Sequence, residues 1–281
     1  MARLKISVLG STLVRDTHGR RIKLSSNAWA LIYFLLVSPG RSAPRSRIAA
    51  GLWPDMDEAS ARHCLATTLW RAKGAFAPDT CPLLVEEDQI SLELDTRCWV
   101  DAIALERRLR AVIEASETLN DHRKRPKIRR AIDLYGEFAP GIEAEWAAIE
   151  RERMRAMHLD ALFLLAVSYG RAADWLSTVT IARRLCAEEP LREDAQRLLM
   201  VAFEKTGNRA LALKQYEKCR SILAEELSVE PMAETSALYR QLAGTPEPEM
   251  TEPAQLRPAV LSARRSVGEA LHALETALEI A

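Results

Sequence analysis

The chain has 281 residues, and a hydrophobic share of 48% predicts a folded protein of about two domains rather than a disordered chain. Its 39 Lys and Arg residues balance 39 Asp and Glu residues, and a formal net charge of zero argues by itself against a nucleic-acid partner. A sum over two domains can hide opposite charges, so the charge has to be counted segment by segment.

Several classes of protein are excluded by absent sequence signals. The longest apolar run, 28–37, is too short to cross a membrane, and the N-terminal residues do not form a signal peptide. The five cysteines are scattered, without a Cys-x-x-Cys pair or a histidine at metal-ligand spacing, which predicts reduced thiols, no metal site and a cytoplasmic location. The common phosphate-binding, dinucleotide-binding and hydrolase motifs are missing, so we expect neither a catalytic site nor a cofactor.

The chain begins with strand signals and then becomes helical. Alternating polar and apolar residues over 3–9 and 20–24 predict a small antiparallel sheet. Three candidate N-cap residues, 25–27, precede a first helix that ends before Pro39. Because this helix is apolar on nearly every side, we expect it to form the buried core of its domain.

Two further helices and a hairpin follow. A short second helix is predicted over 44–52, and a third helix follows with Asp57 as its N-cap. Strands over 83–85 and 90–94 then form a terminal hairpin. Strands, three helices and a hairpin within residues 1–95 are the element order of a winged helix-turn-helix domain.

Beyond the hairpin the strand signal disappears and the chain is predicted to be helical. A period of 34 residues, the length of a tetratricopeptide helix pair, aligns Tyr169 with Phe203 and Asp174 with Asn208. Each unit is predicted as a helix, a polar turn and a helix, so residues 96–243 are expected to form a short tetratricopeptide-like solenoid. The whole chain is therefore predicted to be mainly α with a small β component.

The end of the chain has a different composition. Residues 244–258 are rich in proline and predict a linker, whereas residues 259–281 have the apolar spacing of one amphipathic helix. Two roles are open for this helix: it packs on an exposed end of the solenoid, or it forms the seam of a homodimer. The need of solenoids for caps favours the first role.

Charge is distributed unevenly along the chain. Residues 1–82 hold 12 Lys and Arg against 5 Asp and Glu, a net charge of +7, whereas residues 83–95 hold five acids and no base. The remainder is nearly balanced, although 123–130 contains six bases in eight residues, which we interpret as a solvated helix start rather than a second phosphate-binding patch. The zero total therefore conceals a basic N-terminal domain with an acidic hairpin.

A helical wheel divides the third helix into two faces. The stripe predicted to face the core consists of Ala61, Leu65, Thr68, Leu69, Ala72 and Phe76. The opposite face carries arginine, histidine and threonine, and a plain solvated surface is one explanation for it. The placement of this helix after a short helix and a tight turn favours the other explanation, insertion into a DNA major groove.

The outward face and the start of the second helix supply candidate DNA contacts. Arg62 and Arg71 suit guanine edges or phosphates, and the two arginines at the start of the second helix suit the DNA backbone. Trp70 is expected to pack under the hairpin rather than stack on a base. The candidate DNA-binding residues are Arg45, Arg47, Arg62, His63, Thr67, Trp70, Arg71 and Lys73.

An ordered set of motifs resembles the SARP-type bacterial transcriptional activators. One group resembles their response-regulator-type winged helix, and a second group resembles the bacterial transcriptional activation domain that follows it. The first group is GRSAPRSRIAAGLWP (40–54), ARHCL (61–65) and LWR (69–71). The second group is AIDLYGEF (131–138), EPLRE (189–193), GNRALALKQY (207–216) and LAEELSVEP (223–231).

The resemblance implies a transcription factor that binds repeats in double-stranded promoter DNA, usually as two protomers, and helps to recruit RNA polymerase. It also implies a contact between the two domains. His63 and Ala66 stand in a helix that is richer in Asn and Arg in the family, and the acidic turn at 86–88 would repel phosphate. The alternative hypothesis is a tetratricopeptide-type protein-interaction adaptor with a winged helix that does not bind DNA.

Overall fold

The protein is mainly helical with two small sheets, as predicted. The linker predicted for 244–258, apart from Gly244, and the amphipathic helix predicted for 259–281 lie outside the described residues. No helix in the described part is long and apolar enough to span a membrane. The structure is a computed structural model, and it describes residues 4–77, 80–94, 98–115, 119 and 121–244.

The elements follow the order of a winged helix and then of a helical repeat domain. The strands are β1 (Leu4–Ser7), β2 (Leu13–Arg15), β3 (Arg21–Ile22), β4 (Ser42–Pro44), β5 (Leu83–Val85), β6 (Gln89–Leu92) and β7 (Cys98–Val100). The helices are α1 (Ser26–Val37), α2 (Arg45–Leu52), α3 (Glu58–Ala75), α4 (Asp101–Glu114), α5 (Arg125–Ile132), α6 (Glu145–Arg171), α7 (Trp175–Glu188), α8 (Glu193–Lys205), α9 (Arg209–Leu227) and α10 (Ala233–Ala243).

The N-terminal sheet has the strand order β3-β2-β1-β7. The antiparallel pairing of β1 with β2 and of β2 with β3 agrees with the predicted kind of sheet, although β2 itself was not predicted. Strand β7 pairs parallel to β1, with Lys5 opposite Trp99, so the prediction that strands end with the hairpin is wrong. A three-residue strand is too short to show alternation, and a parallel partner far along the chain leaves no local turn signal.

The second sheet forms the wing. The predicted hairpin of β5 and β6 is present, and β4, which was not predicted, adds to its edge by pairing Ala43 with Ile90. Helix α1 lies behind this sheet with Leu31, Ile32 and Leu35 completely buried, which confirms its prediction as the core helix. The turn between α1 and α2 therefore contributes a strand to the wing, which ties the helices to the hairpin.

The helical region, residues 98–244, stacks each helix from α6 to α10 against the next. Its turns match the predicted period, because Asp174 occupies the N-cap position of α7 and Asn208 that of α9. The Asp174 carboxylate accepts the Ser177 backbone N–H at 3.1 Å. Tyr169 and Phe203 are both buried at the equivalent positions, so the predicted tetratricopeptide-like arrangement is confirmed.

The six-base run at 123–130 is not uniformly solvated as expected. Arg125 is half-buried, and its Nε donates at 2.8 Å to both the Leu119 carbonyl and the Ser168 hydroxyl. Its guanidinium also lies 5.7 Å from the centre of the Tyr169 ring. One base of the run therefore anchors α5 to α6, while neighbours such as Lys124 remain exposed.

A close backbone contact joins the winged-helix region, residues 4–94, to the helical region. The Gly10 N–H donates to the Glu137 carbonyl at 2.7 Å, and a side chain at Gly136 would come within 2.8 Å of the Gly10 nitrogen. Asp101, at the start of α4, accepts the Val8 N–H at 2.9 Å. Burial raises the pKa of Asp101, although hydrogen bonds from backbone N–H groups act in the opposite direction. The two regions are thus fastened through β1 and its exit turn.

His158 is a completely buried titratable group between α6 and α7. Its ring stacks on Tyr135 with centroids 4.0 Å apart, and its Nε2 lies 3.2 Å from a carboxylate oxygen of Glu188. Nδ1 has no hydrogen-bond partner among the described residues, and a guanidinium nitrogen of Arg184 also lies 3.3 Å from Nε2, so an uncharged ring fits this site. Burial is the main cause that lowers the pKa of His158 to about 4, and nearby Arg184 acts in the same direction.

We expect this histidine to make stability fall in mild acid. Because the folded-state pKa is about 4 and the ordinary value is 6.5, the unfolded chain takes up the proton first as the pH decreases. Protonation of His158 in the unfolded chain should therefore lower the unfolding free energy by about 2 kcal/mol between pH 7 and pH 5. Urea unfolding at both pH values measures this loss, and His158→Leu should show a smaller one. Equal losses in the two proteins would contradict the assignment.

Candidate nucleic-acid interface

Helix α3 is held by its N-cap and by its buried stripe. The Asp57 carboxylate accepts the Ser60 backbone N–H at 3.0 Å, and hydrogen bonds to Ser60 lower the pKa of Asp57. All six residues of the predicted core stripe are buried, from Ala61 to Phe76. The opposite face of the helix is therefore directed to solvent, as the wheel predicts.

The outward face presents most of the predicted contact residues. Thr67 is half-buried, and the exposed members are Arg62, His63, Trp70, Arg71 and Lys73. The Trp70 side chain is 77% exposed, so the expectation that it packs under the hairpin is wrong. Its Cα direction is about 140° from that of Leu65 on the wheel, whereas the hairpin packs against α1 through β6. The ring consequently stands free on the surface.

The two arginines of the face differ in their surroundings. Arg62 forms an ion pair with Glu58 one turn earlier, and both side chains are largely exposed, so the pair adds little to stability. Arg71 makes no ion pair within the described residues. Arg71 can therefore bind an anion directly, whereas Arg62 must first break its ion pair with Glu58.

A cleft of about 500 Å³ lies between α3 and the N-terminus of α1. Residues 25–27 line one side of it, and His63, Thr67 and Arg71 line the other. Ser25 caps α1 by accepting the Ala28 N–H at 3.3 Å. A helix N-terminus opposite an arginine and a histidine forms a positively polarised cleft, which suits a phosphate group.

The arginines at the start of α2 have different surroundings. Arg47 is exposed, whereas Arg45 is half-buried and its Nε has no hydrogen-bond partner among the described residues. The Arg45 backbone N–H donates to the Asp88 carbonyl at 2.9 Å, which connects α2 to the wing turn. Arg47 is thus the more exposed of the two arginines.

The tip of the wing is acidic and exposed. Glu86, Glu87 and Asp88 all face solvent, and the turn is closed by the Glu86 N–H, which donates to the Gln89 carbonyl at 2.9 Å. Carboxylates in this position repel phosphate. The wing tip is thus unsuited to a phosphate, whereas exposed cations lie on α3, at the start of α2 and along the N-terminal strands at Lys5, Arg15 and Arg21.

Behind α3, a tryptophan of the helical region supports helix α2. The Trp146 indole N–H donates to the Gly51 carbonyl at 3.2 Å, and its ring makes an edge contact with Phe34 at 5.3 Å between centroids. Gly51 lies in the last turn of α2, immediately before the turn that leads to α3. The contact of Trp146 with α2 could not be predicted from the sequence, because no sequence pattern identifies the partner of a half-buried tryptophan in a helical repeat.

The buried thiols and the metal-ligating side chains of the described residues do not form a second kind of site. No cluster of metal-ligating side chains occurs in the described ranges. Cys186 and Cys219 are buried, and burial raises the pKa of the Cys186 thiol to about 12 and that of the Cys219 thiol to about 11. Thiols with such pKa values are protonated at neutral pH and unreactive.

Comparisons with known proteins agree with this architecture. The model of the bacterial transcriptional activator domain matches residues 100–243, slightly more than half of the chain. The regulatory protein AfsR of Streptomyces griseus is 29% identical over 275 residues, which cover 92% of this chain and 27% of AfsR. The transcriptional regulator RedD of Streptomyces coelicolor is 24% identical over 82% of this chain and 67% of RedD. The chain thus spans about a quarter of the length of AfsR.

A solved structure shares the fold. The structure of Mycobacterium tuberculosis EmbR in complex with a low-affinity phosphopeptide superimposes with a TM-score of 0.72 and covers 94% of this chain and 71% of that one. Its sequence identity of 16% makes this a likeness of fold alone. A winged helix joined to a tetratricopeptide-like region is the architecture of a bacterial transcription regulator of the SARP type. The chain belongs to the bacterial transcriptional activator domain family, which confirms the resemblance seen in its sequence.

We expect Trp146 to stabilise the contact between the two regions. Trp146→Phe keeps a ring against Phe34 but removes the donor to Gly51, and should lower the unfolding free energy by about 1 kcal/mol. Trp146→Ala removes the ring too and should cost about 3 kcal/mol. Urea unfolding measures both changes. Trp175→Phe, which replaces a half-buried tryptophan of α7, is the matched control. Wild-type stability of Trp146→Ala would contradict the proposed support.

Proposed function

We propose that this protein is a sequence-specific transcription regulator that inserts α3 into the major groove of promoter DNA. The single observation that carries the proposal is the outward face of α3, on which cationic and aromatic side chains are exposed beside the half-buried Thr67 while the apolar stripe is buried. The net charge of +7 in residues 1–82 supplies the long-range attraction. In this proposal the DNA-binding domain ends near residue 95.

The residues of the face have different proposed roles. Arg71 binds a guanine edge or a phosphate in the cleft beside α1, and His63 and Thr67 read base edges. Trp70, in the middle of the face, contacts the methyl group of a thymine, because an exposed aromatic ring suits an apolar base edge. Lys73 lies at one flank and contacts a phosphate.

Two supporting contacts complete the face. Arg62 turns from Glu58 to DNA, since an exposed ion pair costs little to open. Arg47 binds the DNA backbone from the start of α2, and Arg45 contributes through its contact with the wing turn rather than as a free cation. The acidic tip of the wing stays away from the phosphates.

The helical region is proposed to contact RNA polymerase and thereby to activate transcription. Membership of the bacterial transcriptional activator domain family supports this step, as does the similarity to AfsR, a regulatory protein, and RedD, a transcriptional regulator. The protein acts on repeated sites as two protomers in this proposal. The tetratricopeptide-like stack suits such a role because its surface is built for contacts with other proteins.

The proposal is tested by selecting duplexes from a random double-stranded DNA library with the full chain and sequencing them. We expect one enriched motif, repeated at a fixed spacing, whose binding weakens steeply as salt is raised. No enriched motif and no retention of DNA at low salt would refute the DNA-binding function. Such a result would favour the protein-interaction adaptor, especially if the full chain recovers a protein partner from cell extract.

We expect Arg71→Ala to weaken binding to the selected duplex by about 1 to 3 kcal/mol if Arg71 reads a base. Fluorescence anisotropy in a salt series gives both the affinity and the number of phosphate contacts. Arg107→Ala removes an equally exposed arginine from α4 and is the control that should bind as well as wild type. Equal losses for the two variants would remove α3 from the interface.

The acidic wing leads to a prediction of the opposite sign. Neutralising the turn by Glu86→Gln and Glu87→Gln should strengthen DNA binding, because two exposed carboxylates that repel phosphate are removed. The gain should shrink at high salt, where charges on the surface are screened. Anisotropy at low and high salt measures both effects. A loss of affinity in this double variant would mean that the wing itself contacts bases.

A further inference from the structure

A second cleft lies in the helical region, far in sequence from α3. It has a volume of about 380 Å³ and is formed between α4 and α5. Its floor consists of Leu109, Val112, Ile128 and Ala131, three of which are almost completely buried. Apolar clefts of this volume, with a few polar groups at the rim, are typical of small-molecule sites.

Three cations surround this apolar floor. Arg108 extends from α4, and Lys124 and Lys127 extend from the start of α5. All three are exposed, and none forms an ion pair within the part of the chain that the structure describes. Among the described residues, no acidic side chain lines the cleft. The rim therefore attracts an anion, while the floor favours an apolar body.

The walls of the cleft are held by contacts outside it. Arg125, between the two lysines, is turned away towards α6, where it donates to the Leu119 carbonyl and the Ser168 hydroxyl. This contact fixes α5 relative to α6, which also packs against α4. The cleft is consequently a preformed feature of the fold, as small-molecule sites usually are.

We propose that the cleft between α4 and α5 binds a small amphiphilic carboxylate, whose apolar chain lies on the floor and whose carboxylate lies among the three cations. The length of α5 favours a small molecule over a docked helix. Its eight residues span only about 12 Å, two turns of wall, whereas a groove for an amphipathic helix holds anchors over several turns. The site is independent of the proposed DNA contacts.

Isothermal titration of the full chain with decanoate tests the proposal. We expect saturable binding of one decanoate per chain and much weaker binding of decanol, which has the same chain without the charge. Lys124→Gln with Lys127→Gln should weaken decanoate binding about tenfold or more, because two charge-assisted contacts are lost. The control, Arg107→Gln with Arg123→Gln, removes the same charge beside the cleft and should bind decanoate as wild type does.

A variant that fills the cleft tests the proposal without changing any charge. Ala111→Phe places a ring over the floor from an exposed position, so it should keep the wild-type melting temperature and abolish decanoate binding. Absence of saturable binding to the wild type, equal weakening by the control, or equal binding of decanol would overturn the proposal. Displacement of decanoate by duplex DNA would assign the cations to the DNA backbone, and displacement by an acidic peptide would assign the cleft to a protein; both would overturn it.

Discussion

The close contact between two glycines determines how near the winged-helix region comes to the helical region. Gly10 and Gly136 approach so closely that a Cβ on Gly136 would overlap the Gly10 nitrogen, and this approach allows the hydrogen bond from Gly10 to Glu137. The Asp101 carboxylate and the parallel strand β7 secure the same corner. Because Trp146 fastens the opposite side at Gly51, α3 belongs to one packed body with the helical repeats rather than to a domain on a free tether.

Because the two regions are packed together, the positions of the charged residues in the winged-helix region are fixed relative to the helical region. Exposed cations lie on the outward face of α3, whereas Glu86, Glu87 and Asp88 occupy the tip of the wing. Charges of both signs therefore act at short distance on any approaching DNA. Under the proposed function, attraction by the exposed face of α3 and repulsion by the wing tip together restrict the orientations in which a duplex can bind, which adds selectivity at some cost in affinity.

Local sequence patterns were enough to predict the helices. They were not enough to predict contacts between residues that are distant in sequence. The six-residue stripe of α3 and the N-cap at Asp57 follow from spacing and residue type, and the polar turns at Asp174 and Asn208 follow from the 34-residue period, so they could be predicted. Strand β7 depends on a partner more than ninety residues away, and the Trp146 contact depends on how two regions meet. Trp70 was wrongly expected to be covered because large aromatic side chains usually are, although its own wheel position indicates the exposed face.

The acidic wing also bears on how many protomers a promoter needs. A single module of this size buries a limited area on DNA, and here the wing adds repulsion instead of phosphate contacts. Under the proposed function, the affinity of one protomer therefore rests on α3 and the cleft beside α1. Two protomers on repeated sites convert the second binding event into a local one, which raises the overall affinity without any new contact to a base. Since α3 is fixed to the helical body, the spacing of the repeats then also sets the positions of the two helical regions along the promoter.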